Sequence, residues 1–307
     1  MKPLHTFLMV ITAAVWGLNF VATRVVLDVF SPQQLAFARA LITLVLLLPW
    51  WQPWRRVSVK FLAAAFAIGV GSYYLIYEAI RMTESLTSVA IGTQLMVPIS
   101  AVIALVMYQE QITRRKWAGI GVATLGALVL TGATGLGVSA LALALTLISV
   151  TFYSVGTIVA SKTGSIGIWR LLAWISAVAV VPLGLVAWAA GPMFPDPATI
   201  TTVHWLALVF SALISALLGQ AVLFFLYRAY PVSDVAPYIL FVPIFAALFS
   251  VLLFHEHISP GLAVGGAVIL LGVWLQQTRK SAAPGVRLKP GGIGADEISP
   301  DELGPGI

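Results

Sequence analysis

Cysteine is absent from the 307 residues, and charge is scarce, with Asp, Glu, Lys and Arg together making up 9% of the chain. The first absence excludes disulfides, thiolate catalysis and Cys-ligated metals. The second excludes a water-soluble globule, which keeps roughly a quarter of its residues charged. Soluble enzymes, nucleic-acid binders and secreted disulfide scaffolds fall away with it. No G-x-x-x-x-G-K-[ST] phosphate loop occurs, which removes ATP hydrolysis, and no G-x-S-x-G elbow occurs either. What the chain does have is apolar surface, at 60% hydrophobic residues and a mean hydropathy of +1.00. The excess of 17 Lys and Arg over 11 Asp and Glu is read as charge on cytoplasmic loops rather than a DNA-binding face.

A helix crosses the hydrocarbon in about 20 residues, and apolar stretches bounded by charge, Pro or Gly recur at that length. They run Leu4 to Leu27, Pro32 to Trp51, Phe61 to Ile80, Thr87 to Met107, Trp117 to Thr131, Gly137 to Ala160, Ile166 to Ala190, Val203 to Tyr227, Val235 to Phe254 and Pro260 to Gln277. None alternates with the period of a barrel strand, so the expected fold is an all-α membrane protein of ten transmembrane helices. The first stretch carries Asn19 and Arg24 beyond its small residues, which separates it from a signal peptide. Residues 281–307 are rich in Gly, Pro and charge and read as a disordered cytoplasmic tail. Of the 17 Lys and Arg, only Arg24, Arg39 and Arg81 fall toward the outer side if the amino terminus is cytoplasmic. By the positive-inside rule both termini then face the cytoplasm.

The chain also resembles itself. Pro98-Ile99-Ser100-Ala101 precedes Glu110-Gln111-Ile112-Thr113, as Pro243-Ile244-Phe245-Ala246 precedes Glu256-His257-Ile258-Ser259. Glu110 is followed at 9 and 16 residues by Gly119 and Gly126, and Glu256 at the same spacings by Gly265 and Gly272. Tyr77-Glu78-Ala79 echoes Tyr227-Arg228-Ala229, and Ala22-Thr23-Arg24 echoes Ala160-Ser161-Lys162. The unit is five helices, giving a first repeat over residues 1–136 and a second over 137–280. Five is odd, so the second copy enters the membrane from the opposite side. Two inverted repeats around a central cavity are the architecture of an alternating-access carrier.

This pattern of helices and turns over residues 4–277, with Ala14-Val15-Trp16-Gly17-Leu18-Asn19-Phe20 in the first helix, resembles the EamA branch of the drug/metabolite transporter superfamily. Within that family the aromatic content of the core is similar to the YddG-type amino-acid exporters. The resemblance implies a secondary transporter in a bacterial inner (plasma) membrane, with no cofactor. The second copy departs from the first-helix pattern, with Tyr153-Ser154 standing in place of Trp-Gly.

Polar and aromatic side chains far from helix ends are the candidate substrate-binding residues, because a polar group at the midplane is costly unless it faces the bundle or a wet cavity. They are Trp16, Asn19, Tyr73, Tyr77, Gln94, Tyr153, Gln220 and Tyr238. Taken singly, each has a plainer reading, as interhelical hydrogen bonds for the amides and packing for the rings. Together they suit a small zwitterion with an apolar or aromatic side chain, whose ammonium the ring faces attract. Arg39 and Arg170 lie a few residues inside their helices and read as snorkelling or paired near an interface. Glu110 and Glu256 read as caps for the helices that follow them, and Glu78 as the partner of Arg81. Pro98 and Pro243 read as helix-interior kinks, with hinge and static shaping both open. Uniport and proton coupling stay open, as does the oligomeric state. The rival readings are a membrane-embedded enzyme and a lipid scramblase. The enzyme lacks a nucleophile with a base, and its only close histidine pair, His255 and His257, sits two residues apart on different faces of any helix. Reconstituted vesicles that move an amino acid but not labelled lipid discriminate against the scramblase.

Overall fold

The computed structural model describes residues 2–51, 58–108, 113–132, 139–161, 167–230 and 235–277. Glu110, Lys162, the junction at 136–137 and the tail 281–307 lie outside them. Helix labels follow chain order: α1 Pro3–Leu27, α2 Pro32–Leu47 ending in a 3-10 turn Leu48–Trp50, α3 Val59–Arg81, and α4 Leu86–Thr93 continued by Met96–Tyr108. Then come α5 Arg114–Gly132, α6 Ala140–Ser161, α7 Ile168–Ala189, and α8, made end to end of Thr202–Val209, Phe210–Gly219 and Gln220–Ala229. The 3-10 turn Ala236–Leu240 leads into Phe241–Phe254 as α9, and α10 is Pro260–Gln277. Every regular element among the described residues is helical.

Serine starts many of these helices. Ser31, Ser58, Ser85, Ser139 and Ser259 each accept a hydrogen bond from a backbone N–H three residues on, at 3.3, 3.2, 3.1, 3.2 and 3.2 Å, satisfying a donor that the first turn leaves free. At Ser31 the cap is reciprocal, because Gln34 Oε1 accepts from Ser31 N at 2.8 Å. Prolines occupy first turns at Pro3, Pro32 and Pro260, where the missing N–H costs nothing.

Among the described residues seven helices are long and apolar enough to cross a membrane: Pro3–Leu27, Pro32–Trp50, Val59–Arg81, Leu86–Met107, Ala140–Ala160, Ile168–Ala189 and Thr202–Leu223. Tyr238–Phe254 and Pro260–Leu275 are shorter apolar helices. Large apolar side chains cover the outside of the bundle, as at Val181 (65% exposed), Leu185 (60%) and Trp188 (70%) on α7. A surface of that kind is stable in lipid and not in water. The chain is an integral membrane protein.

Apolar burial does not drive helix association in lipid, where close approach does. The tightest seam joins α5 to α10. A Cβ on Gly126 would fall 2.6 Å from Ile269 N and 3.0 Å from Gly265 O, and one on Gly272 would fall 2.4 Å from Ala123 N and 2.7 Å from Gly119 O. The later glycine of each helix touches the earlier turn of the other, so the pair crosses antiparallel. These are the glycines at matched spacings after Glu110 and Glu256. The wider packing follows the same exchange. α1 packs on α9 as α6 packs on α4, and α1 on α8 as α6 on α3, while α2 pairs with α7. Gly17 of α1 abuts Phe245 and Ala246, and Ser154 of α6 accepts at 2.9 Å from Ser100, the residue matching Phe245.

The irregular windings are matched too. α3 and α8 widen into π-helical turns at Ala67–Ser72 and Phe210–Gly219. α4 tightens at Gln94–Val97, where the N–H groups of Gln94, Leu95 and Val97 bond three residues back, and α9 opens on the 3-10 turn Ala236–Leu240. This corrects the reading of the two prolines as helix-interior kinks. Pro98 and Pro243 are each the third residue of a helix that restarts after the tightened turn, in a first turn that does not need their N–H.

Candidate functional site

Helices α2, α3, α7 and α8 border a partly open cavity of about 40 Å³ near the middle of their lengths. Its wall takes Arg39 and Thr43 from α2, Gly69, Tyr73 and Tyr77 from α3, Ile175 and Ser176 from α7, and Ala216 from α8. Gly69 and Ala216 belong to the two π-helical turns. Extra residues in such turns displace the backbone from its neighbours, and π segments recur at functional sites for that reason.

The cavity is built around a buried cation. Arg39 is 7% exposed, and its guanidinium carbon stands 4.2 Å over the Tyr73 ring and 5.8 Å from the Tyr77 ring centre. Arg39 Nη1 donates to Tyr77 OH, and Thr43 Oγ1 closes the helix beside it by donating to Arg39 O at 2.9 Å. Arg39 Nε has no hydrogen-bond partner. Among the described residues the ion pair is Arg81 with Glu78 at 3.2 Å, and no carboxylate pairs with Arg39. Burying an uncompensated charge costs several kcal/mol, and two ring faces return about 0.5–2 kcal/mol each. The snorkelling reading of Arg39 is therefore corrected. Tyr73 and Tyr77, one turn apart on α3, draw the guanidinium inward, while Arg170 sits half-buried in the first turn of α7. The signal for Arg39 in the sequence is a basic residue seven positions inside an apolar run, with no acid within one helical turn.

Of the eight residues expected to line a site, Tyr73 and Tyr77 wall this cavity. Three others meet along α8 just beside it. Trp16 donates its indole N–H to Ser215 O at 3.2 Å and lies against Gly219. One residue on, Gln220 donates through Nε2 to Tyr153 OH at 3.2 Å, joining α8 to α6. Asn19 and Gln94 have no side-chain oxygen partner: Asn19 Oδ1, Gln94 Oε1 and Gln220 Oε1 are all buried and unbonded. Each orphaned acceptor costs about 1–3 kcal/mol, and Gln94, 2% exposed, sits in the tightened turn of α4. Tyr238 stands apart from the cavity, stacked on Phe241 at 6.4 Å and packed on the cluster around Met9, Leu226 and Val242.

Charge at one end of the bundle ties helices together. Glu256 accepts from Ser85 Oγ at 2.6 Å, from Thr87 N at 3.4 Å and from Ser250 Oγ. It caps α4, across the bundle, and not the helix that follows it in the chain, which corrects the expectation from its position. The left-handed backbone of His255, at φ 53°, turns the chain so that this carboxylate faces α4. Arg24 donates to the last carbonyls of α3 and its turn, Ile80 O at 3.2 Å and Thr83 O at 3.3 Å. Glu78 holds Arg81 and accepts from Tyr74 OH at 3.2 Å.

The model of the EamA-like transporter family matches residues 4–132 and again 140–276. A probable amino-acid metabolite efflux pump of Salmonella typhimurium is 25% identical over 276 residues, covering 86% of this chain and 91% of that one. A protein of the same description from Escherichia coli is 24% identical over 280 residues, covering 87% and 93%. A solved structure, described only as a crystal structure of a protein, superposes with a TM-score of 0.60 at 15% identity, covering 89% of this chain and 94% of that one.

Proposed function

Because the chain belongs to the EamA-like transporter family, we propose that it exports small zwitterionic metabolites, foremost amino acids with apolar or aromatic side chains, by alternating access. The observation that carries this reading is the cavity at mid-height, walled by α2 and α3 of one half and α7 and α8 of the other. A cavity between two halves that rock against each other opens to one side at a time. The relatives described as amino-acid metabolite efflux pumps support the substrate class.

In this reading the membrane holds ten helices, the seven long ones joined by α5, α9 and α10. Residues 1–136 and 137–280 form five-helix halves of inverted topology, with both termini cytoplasmic. The antiparallel glycine seam of α5 and α10 and the exchange of α1–α9 for α6–α4 support the inversion. Tyr73 and Tyr77 face the substrate directly. Trp16, Tyr153, Gln220, Asn19, Gln94 and Tyr238 join the path as the halves move, and the unpaired amide oxygens of Asn19, Gln94 and Gln220 accept from the ammonium. No phosphate loop supplies ATP energy, so the substrate gradient or a coupled ion drives export.

Counterflow tests this. Proteoliposomes of the full chain loaded with unlabelled phenylalanine are expected to accumulate labelled phenylalanine from outside above empty-vesicle controls, and not to scramble labelled lipid. Absence of counterflow across a panel of amino acids would refute the reading.

A further inference from the structure

Arg39 is a full positive charge, 7% exposed, in the wall of a cavity, with Nε unbonded and without a carboxylate partner among the described residues. Buried charges in folded proteins are paired or they bind something, and here no carboxylate among the described residues is the partner. We infer that Arg39 is the subsite for a substrate carboxylate, so that every ligand of this cavity carries a carboxylate and amines without one are refused. This inference rests on the export reading and sharpens its substrate class.

The chemistry fits the group. A guanidinium presents parallel N–H donors that match two oxygens on one carbon. Tyr77 OH takes one donor, on Nη1, while Nε is buried and unbonded, a donor that a ligand oxygen reaches once the side chains over it shift. The guanidinium carbon stands 4.2 Å over the Tyr73 ring, a cation–π contact that holds the head in the cavity wall. The volume, about 40 Å³, accommodates a carboxylate or a few waters, since a single water needs roughly 10–15 Å³. The walls beside it include the apolar Leu172, Ile175, Ala179 and Ala216 and the Ser176 hydroxyl, with no second cation for a phosphate. A cation in this position repels a lone ammonium, so a zwitterion must direct its ammonium away from Arg39. The positive site thus sets a polarity for the bound molecule.

Thermal unfolding of the full chain in a nonionic detergent, read by tryptophan fluorescence, tests this without transport. The probes are 3-phenylpropionate, phenylalanine, phenethylamine, sodium chloride and inorganic phosphate at equal ionic strength. The first two are expected to raise the midpoint and phenethylamine to leave it unchanged. Arg39→Gln should weaken 3-phenylpropionate by about tenfold or more, and Arg39→Lys, which keeps the charge and loses the fork, by less. If Arg39→Gln does not fold, the wild-type comparison and Arg39→Lys decide. Equal stabilisation by phenethylamine, by chloride or by phosphate overturns the assignment, as does undiminished binding to the variants or no stabilisation by either carboxylate. The outcome separates from that of export: carboxylate binding that depends on Arg39 without counterflow leaves the subsite and sinks the efflux reading. Phenylalanine counterflow unaffected in Arg39→Lys and Arg39→Gln does the reverse.

Discussion

Replacing Gly272 with alanine adds one methyl group at the closest approach in the bundle. Its carbon would lie 2.4 Å from Ala123 N, 2.7 Å from Gly119 O and 2.8 Å from Ala123 Cα. Ordinary contact between non-bonded heavy atoms is about 3.5 Å or more, so α10 must withdraw from α5 by about 1 Å, and the obstacle is rigid backbone. Overpacking of this kind costs about 1–3 kcal/mol. Gly126→Ala meets Ile269 N at 2.6 Å and carries a similar cost. Gly121, on the same helix as Gly126, has nothing within 4 Å of the point where a methyl would sit, and Gly121→Ala should be neutral or stabilising by up to about 1 kcal/mol through helix propensity. Gly126 and Gly272 press on one seam, so the double variant should cost less than the sum of the two singles. Thermal unfolding in detergent by tryptophan fluorescence measures all four, with midpoint losses of roughly 2–10 °C expected for each seam variant. If Gly272→Ala unfolds at the wild-type midpoint while Gly121→Ala does not differ from it, the seam does not hold the two helices, and the reasoning from close approach is refuted.

Other substitutions address the site and the topology. Gln94→Ala removes a buried acceptor that has no partner, so the unfolding midpoint should stay level or rise while phenylalanine counterflow falls. A destabilisation above about 2 kcal/mol would instead make the amide structural. Glu256→Ala leaves Ser85 Oγ, Ser250 Oγ and Thr87 N without their acceptor, and should cost about 1–3 kcal/mol, with Glu256→Gln costing less. The absence of native thiols permits single-cysteine labelling, in which Lys2→Cys and Glu302→Cys should both react with an impermeant maleimide from the same, cytoplasmic side. Reaction from opposite sides would contradict an even number of spans.

Much of the helix pattern is legible in the residues because lipid enforces it: the stretches read as beginning at Pro32, Phe61, Thr87, Gly137 and Pro260 start as helices at Pro32, Val59, Leu86, Ala140 and Pro260, each directly behind a capping serine. The fifth stretch, whose apolar run begins at Trp117, starts as a helix at Arg114, because basic residues extend a helix past the hydrocarbon edge. The glycine seam is visible as spacing in the residues and as contact in the fold. Winding is not legible. Nothing in Ala67–Ser72 or Phe210–Gly219 marks a π turn, since that winding answers to packing across the bundle rather than to local propensity. Arg39 escapes a reading by depth along its own helix, because what holds it inside are its neighbours on α3. Tyr73 and Tyr77, eligible as site residues on their own, are the groups that contact that cation.

A π turn holds more residues per revolution than the α turns flanking it, and a 3-10 turn holds fewer. Moving such a defect along its helix by one residue leaves both ends anchored and rotates the stretch it crosses by roughly 100°. In α3 that slip would swing the Tyr73 ring away from the guanidinium, and in α8 it would turn Gln220 off Tyr153. The winding of α3 and α8 thus decides which of their residues line the cavity, through the position of one loose coil in each.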